Sequence, residues 1–249
     1  MDTRNDTILI TGGGSGIGKA MAEALHARGA KVIIAGRRRE ALEAVAAAHP
    51  GMAFDTLDVE DPASITAFAA RVVVAHPDLN VLINNAGVMV AENLTAEPVD
   101  LVVTERTVAI NLLGPIRLTA ALLPHLKRKT TATVVNVTSG LAFVPLTTTP
   151  TYSATKAALH SWSQSLRHQL RGTSVEVLEW APPAVATDLM PGHAENPNSM
   201  PLADFTAESL ALLEAGETDE IFVERVKFLS GAETRGEYSK VFKALNGAD

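Results

Sequence analysis

Short apolar runs rich in β-branched residues alternate along this chain with longer, alanine-rich stretches. The runs are Thr7–Ile10, Val32–Ala35, Val81–Ile83, Val134–Val137 and Val175–Leu178. Apolar positions that follow one another without polar alternation predict strands covered on both faces, as in a parallel sheet. Between them, helix-like stretches cover 17–28, 39–48, 62–76, 99–127 and 152–171. Gly29 follows the first of these, and His49-Pro50 and His76-Pro77 close the next two, as breakers at helix ends should. Strand–helix alternation over the whole length predicts an α/β fold, a doubly wound and mostly parallel sheet with helices on both faces. No repeat, low-complexity tract or linker interrupts it, so residues 1–249 read as a single domain.

Two segments depart from that rhythm. Pro182 to Pro201 holds five prolines, Gly192 and two asparagines, with no sustained period. A long irregular insert of this kind predicts a binding loop or substrate lid, over about 182–205. Near the end, Gly236 to Gly247 carries Tyr238, Val241, Phe242 and Leu245 at i, i+3, i+4 and i+7, which predicts a helix with one apolar stripe. That stripe suits packing on its own domain or contact with another subunit.

Composition narrows the function classes. The 249 residues are 47% hydrophobic and 20% charged, which is no disordered chain. With no cysteine, disulfide frameworks, cysteine-held zinc, iron–sulfur clusters and thiol nucleophiles fall away, and a reducing compartment fits. A net charge of −7 argues against sequence-independent nucleic-acid binding, the basic spots being Arg37–Arg39 and Lys127–Lys129. Met1 to Asp6 is polar, with no signal peptide expected, and no unbroken apolar stretch approaches the ~20 residues of a membrane span. The expectation is a cytoplasmic protein with no membrane or nucleic-acid partner. No clustered carboxylate and histidine ligands suggest a metal.

After the first strand comes Thr11-Gly12-Gly13-Gly14-Ser15-Gly16-Ile17-Gly18, and then a helix. Glycines there permit positive φ and let the backbone approach a pyrophosphate at a helix N-terminus. The G-x-G-x-x-G fingerprint is not matched in any register. Gly13-x4-Gly18-Lys19 comes near a P-loop, yet Ala20 stands where that motif needs a hydroxyl for Mg²⁺, which disfavours an NTPase. Further on, Tyr152-Ser153-Ala154-Thr155-Lys156 sets Tyr and Lys one helical turn apart on one face. A nearby ammonium would favour the phenolate and lower the tyrosine pKa. Ser139 closes the strand before it, Asn111 is an amide amid apolar neighbours in a helix, and Asn84-Asn85-Ala86-Gly87 follows the fourth strand.

The T-G-x-x-x-G-x-G spacing, with glycines 12, 16 and 18, and the set Asn111, Ser139, Tyr152 and Lys156 resemble the short-chain dehydrogenase/reductase family, from Thr11 to about Thr187. The resemblance implies a Rossmann fold and an NAD(P)-dependent carbonyl reductase or alcohol dehydrogenase, commonly a homodimer or homotetramer. It implies Tyr152 as general acid or base and Lys156 as the group that lowers its pKa and binds the nicotinamide ribose. Ser139 would orient the substrate oxygen, and Asn111 would hold a water linking Lys156 to solvent. Gly12, Gly14, Ser15, Gly16, Ile17 and Gly18 would cradle the cofactor. Asp58 and Val59, at the third strand's end, would flank the adenine; Asn85, Ala86 and Gly87 would line the adenosine ribose. Pro182, Val185 and Thr187 would lie beside the nicotinamide.

Gly36 stands where an NAD site usually has an acid, and Arg37 and Arg38 follow; a guanidinium can pair with a 2′-phosphate, so NADP(H) is favoured over NAD(H). Pro183 replaces the glycine of the family's P-G-x-V-x-T turn. The Pro-Pro turn, the E-I-x-V-x-x-V-K-x-L stretch and the closing Ala-Leu-Asn resemble oxidoreductases of the D-alanyl-lipoteichoic-acid operon type, the DltE-like branch. Leu141, Phe143, Val144 and the Met190 region are expected to line an apolar pocket for a small apolar or aromatic carbonyl or secondary alcohol. The competing reading is a non-catalytic dinucleotide-binding redox sensor, which has no need of a proton donor.

Overall fold

In the computed structural model, which describes residues 1–247, the strands form one parallel sheet. They are β1 Thr7–Thr11, β2 Lys31–Gly36, β3 Ala53–Thr56, β4 Val81–Asn84, β5 Ala132–Val137, β6 Val175–Trp180 and β7 Glu220–Ile221, in the order β3-β2-β1-β4-β5-β6-β7. The chain leaves β3 at one edge and returns to pair β4 with β1, so the connections run outward in both directions from the β1/β4 pair. In such sheets ligands bind at this switch point, outside the carboxyl ends of the strands.

The helices are α1 Gly16–Ala27, α2 Arg39–Ala48, α3 Pro62–Ala75, α4 Val102–Val108, α5 Gly114–Leu126, α6 Pro150–Gln169, α7 Leu202–Ala215, α8 Lys227–Ser230 and α9 Tyr238–Asn246. The apolar residues divide between the two faces of the sheet. One layer, with Met21 and Leu25 of α1 and Phe205 and Leu210 of α7, covers Ile8, Ile34 and Trp180. The other, with Phe68 of α3, Leu118 and Leu122 of α5 and Leu166 of α6, covers Leu9, Leu82 and Val134. Successive strand residues thus feed opposite layers, the reason the strands read as unbroken apolar runs.

Several boundaries differ from the pattern. Ala53–Thr56 lacks a β-branched run and is held by pairing with β2 rather than by its own propensity. It ends before Asp58. Helix α6 begins two residues early, at Pro150, a residue suited to a first helical position. The stretch expected over 99–127 starts at Val102 and contains a π-helical turn, Ala109–Leu113, around Asn111. Taken whole, Val102–Leu126 is long and apolar enough to cross a membrane by length and composition, yet 44% of its most apolar window is buried, with Leu118, Leu122 and Leu126 fully enclosed against the sheet. The irregular segment after Pro182 stops short of 205: an isolated bridge pairs Val185 with Met200, and α7 starts at Leu202. The terminal helix packs on its own chain, with Val241 buried against Val144 and Ala232, while Tyr238 stays partly exposed.

Candidate active site

A cavity of about 770 Å³ opens along the carboxyl edge of the sheet. Its floor at one end is the turn between β1 and α1. Gly12 sits at φ +72° and Gly16 at φ +54°, conformations that cost a side-chain-bearing residue dearly. At Gly18 the constraint is space: a Cβ would lie 2.4 Å from Asn85 Nδ2 and 2.6 Å from the Gly12 oxygen. Asn85 is fixed from below, its Nδ2 donating to the Thr11 oxygen at 2.8 Å while the Thr11 hydroxyl accepts from the Asn85 and Ala86 N–H groups, each at 3.0 Å. The glycine turn and the loop after β4 are therefore one locked unit. Gly13, which the spacing left without a role, has one here: a Cβ would lie 2.5 Å from Ile34 Cγ2.

Of the residues anticipated for a cofactor, Gly12, Gly14, Ser15, Gly16, Ile17, Gly18, Arg37, Arg38, Val59, Asn85, Ala86, Gly87, Tyr152, Lys156, Pro182, Val185 and Thr187 all line this cavity. Asp58 does not. Its carboxylate turns to accept the Glu60 N–H at 3.0 Å, and Leu57 and Val59 face the cavity on either side of it. Arg38 donates to Ser15 Oγ at 2.8 Å, while Arg37 lies 3.8 Å from Glu60, which also meets Arg106 at 3.3 Å. No acidic residue occupies the first turn of α1, so its N-terminus faces the cavity without a competing carboxylate. Glycine-limited backbone and an open helix start fit the pyrophosphate of a dinucleotide.

At the other end, the buried face of α6 meets the end of β5. Lys156 Nζ donates to the Val137 oxygen at 2.7 Å and lies 5.5 Å from the centre of the Tyr152 ring. Burial pulls the Lys156 ammonium down to about 8. Burial likewise pushes the Tyr152 phenol up to about 12, against the opposing effect of its hydrogen bond with Ser139. Desolvation is thus the largest cause at both groups, and the ammonium spends its hydrogen bond on the strand. Ser139 lies two residues beyond the end of β5, and its Oγ also accepts the Leu141 N–H at 3.1 Å.

Asn111 lies under the loop after β4. Its amide accepts the Val88 N–H at 2.9 Å and donates to the Val88 oxygen at 2.8 Å. Those bonds engage the side-chain amide of the residue expected to hold a water. Pro115, four residues on, has no N–H to close an α-helical bond to the Asn111 carbonyl, in keeping with the π-helical turn there. Glu92 secures the start of α6: it accepts the Thr151 N–H at 2.9 Å and the Thr104 and Thr151 hydroxyls, each at 2.7 Å. Burial raises its carboxyl, but these bonds win and hold it below the usual range.

Among residues expected beside the substrate, Leu141 lines the cavity. Phe143 instead packs edge-on against His160 and Phe222, with ring centres 4.9 and 5.5 Å away, and Val144 is buried under α9. The Met190 region contributes Leu189, His193 and Ala194 rather than Met190 itself. Pattern reading did not find Leu146, Leu229 and Leu245, which complete an apolar wall. They come from three distant parts of the chain, and only the apolar stripe of the terminal helix hinted at the last.

Residues 6–198 match the short chain dehydrogenase family. The chain belongs to that family. Over 99% of its length it is 39% identical to an uncharacterized oxidoreductase, DltE, of Bacillus subtilis (strain 168), of which it covers 98%. Among solved structures it is similar to a short chain dehydrogenase of Burkholderia cenocepacia J2315 in complex with NADP, with a TM-score of 0.84, 26% identity, and coverage of 97% of this chain and 99% of that one. A short chain dehydrogenase/reductase of Burkholderia phymatum in complex with NAD shares the fold, with a TM-score of 0.82 at 20% identity over 100% of this chain and 98% of that one. The protein is a short-chain dehydrogenase/reductase of the DltE-like branch, an oxidoreductase on a Rossmann-type sheet.

The locked glycine turn makes a stability prediction. Gly18→Ala should cost roughly 1–3 kcal/mol in urea unfolding, the scale of overpacking a tight site. Gly14→Ala, whose Cβ would meet nothing nearer than Leu42 Cδ2 at 3.4 Å, should cost less. Equal losses at the two positions would contradict the packing assigned to Gly18.

Proposed function

We propose that this oxidoreductase transfers a hydride between NADP(H) and the carbonyl or secondary alcohol of a small apolar or aromatic substrate, with Tyr152 as the general acid or base. The observation that carries the reading is the meeting of Tyr152, Ser139 and Lys156 on the cavity whose far end holds the glycine turn, Arg37 and Arg38. When bound, the dinucleotide supplies or accepts the hydride. The rest of the work falls to the chain. Tyr152, held well above neutral, carries its proton at physiological pH and can give it to a carbonyl oxygen. Ser139 orients that oxygen. Lys156 remains largely an ammonium below about 8 and stabilises the phenolate left behind. A site resting with the phenol protonated is set for reduction.

Leu141, Leu146, Leu229 and Leu245 around the proton donor support an apolar substrate. Leu189, His193 and Ala194, on the cavity side of the irregular segment, support its role as a lid. Exposed Val90, Leu94, Val99 and Leu101, on the segment before α4, and Val102 at its first position support a homo-oligomer. A redox sensor would have no use for a buried tyrosine and lysine turned to the cavity.

Tyr152→Phe keeps the ring and removes the proton. NADPH oxidation with 4-nitrobenzaldehyde should fall by about 10²-fold or more, while NADPH affinity by fluorescence titration stays near that of the parent. Retained turnover would remove Tyr152 from the chemistry. Arg37→Ala and Arg38→Ala should each weaken NADPH binding by about tenfold and NADH binding far less, as expected for partly solvated contacts to the 2′-phosphate. Equal losses for both dinucleotides would overturn the preference for NADP(H).

A further inference from the structure

Beneath the substrate end of the cavity lies a buried charged group that the chemistry above does not use. Glu179, near the end of β6, has a side chain with 0% exposure. A carboxylate so enclosed must be matched by donors. One oxygen accepts from the Thr138 hydroxyl at 2.7 Å, and the other meets His160 Nδ1 at 2.7 Å. The hydrogen bond from Glu179 and its charge raise the His160 pKa against the opposing effect of burial. Glu220 from β7 raises it further, and Arg167, two turns along α6, opposes it. The imidazole's other nitrogen lies 3.2 Å from the Gln164 amide nitrogen, and its ring packs edge-on against Phe143.

Three consecutive residues at the end of β5 are thus each held from a different side. The Val137 oxygen is held by Lys156, the Thr138 hydroxyl by Glu179, and the Ser139 hydroxyl is the partner of Tyr152. The Thr138 N–H is bonded to the Trp180 oxygen at 2.8 Å, so the residue is fixed to β6 through main chain and side chain together. His160 stands one helical turn beyond Lys156 and two beyond Tyr152 on the same helix. The couple therefore links the helix that carries the proton donor to the strand end that carries its partner.

We propose that His160 and Glu179 form a positioning pair that, through Thr138, holds Ser139 in place opposite Tyr152. Neither residue touches the reacting atoms, and both act through the strand end. This rests on the reading of Ser139 and Tyr152 given above. Removing the imidazole leaves a buried carboxylate with Thr138 alone, and the strand end must shift or draw in water to solvate it. The chain has two tyrosines, so the full-length protein labelled with ¹³Cζ-tyrosine gives two resonances, one of them from the reporter of Ser139 geometry. His160→Ala and Glu179→Gln should each move the Tyr152 resonance and leave that of Tyr238 in place. His160→Asn, whose amide N–H can meet the same carboxylate oxygen, should restore it. In NADPH oxidation with 4-nitrobenzaldehyde, His160→Ala should lower kcat by roughly tenfold with the KM for NADPH unchanged, because misplacement of a catalytic group acts on the chemical step.

An unmoved Tyr152 resonance in His160→Ala would overturn the pair, as would a His160→Asn protein as displaced as the alanine variant. A Tyr238 resonance that moves equally would overturn it as well, since the effect would then be global. Should Glu179→Gln fail to fold, the two His160 variants decide alone. The NMR comparison needs no turnover. An unmoved resonance beside an inactive Tyr152→Phe protein removes only the positioning pair, whereas an active Tyr152→Phe protein removes the functional reading itself.

Discussion

The bond from Lys156 Nζ to the Val137 oxygen is the constraint on which the site depends. It joins the buried face of α6 to the end of a central strand and thereby fixes where Tyr152 and Ser139 can meet. Burying an ammonium is unfavourable, and one charge-assisted hydrogen bond offsets only part of that cost. The remainder shows as the drop of its pKa to about 8. The same dry environment keeps the phenol protonated. One desolvated patch accordingly sets the charge states of both groups, in opposite senses, and yields a proton donor beside a cation.

The far end of the cavity obeys a different rule, one of space. Thr11 holds Asn85 and Ala86 through its hydroxyl, Asn85 holds Thr11 through its amide, and Gly18 admits that amide because it has no side chain. The loop after β4 is fixed again by Asn111, which grips both polar atoms of the Val88 main chain from the π-helical turn. Such turns often occur at functional sites. Here it sets the amide under the loop, with Gly87 close by: a Cβ there would lie 3.3 Å from Asn111 Oδ1 and 3.8 Å from Lys156 Nζ.

Much of this was legible in the sequence because it depends on local chemistry. Apolar runs marked five strands, and the spacings T-G-x-x-x-G-x-G and Y-x-x-x-K marked the turn and the helix face. What escaped depends on contacts between distant segments. Ala53–Thr56 becomes a strand by pairing with β2, and α7 forms where its residues cover Trp180, against which Phe205 stacks at 5.4 Å. The resemblance puts Asp58 beside the adenine, but its carboxylate turns to the Glu60 main-chain N–H, two residues away. Phe143 was expected at the substrate and belongs to the His160 cluster. Spacing puts Lys156 one turn from Tyr152 but does not report burial, and burial is the largest cause of the raised Tyr152 pKa.

The central claim is that this site moves a hydride and a proton rather than only sensing a bound dinucleotide. Transfer of deuterium from NADPH deuterated at C4 to 4-nitrobenzaldehyde, followed by mass spectrometry of the alcohol, tests it most directly. The account predicts one deuterium at the former carbonyl carbon from one of the two C4-deuterated epimers and none from the other. Tight NADPH binding with no deuterium in the alcohol from either epimer would contradict it.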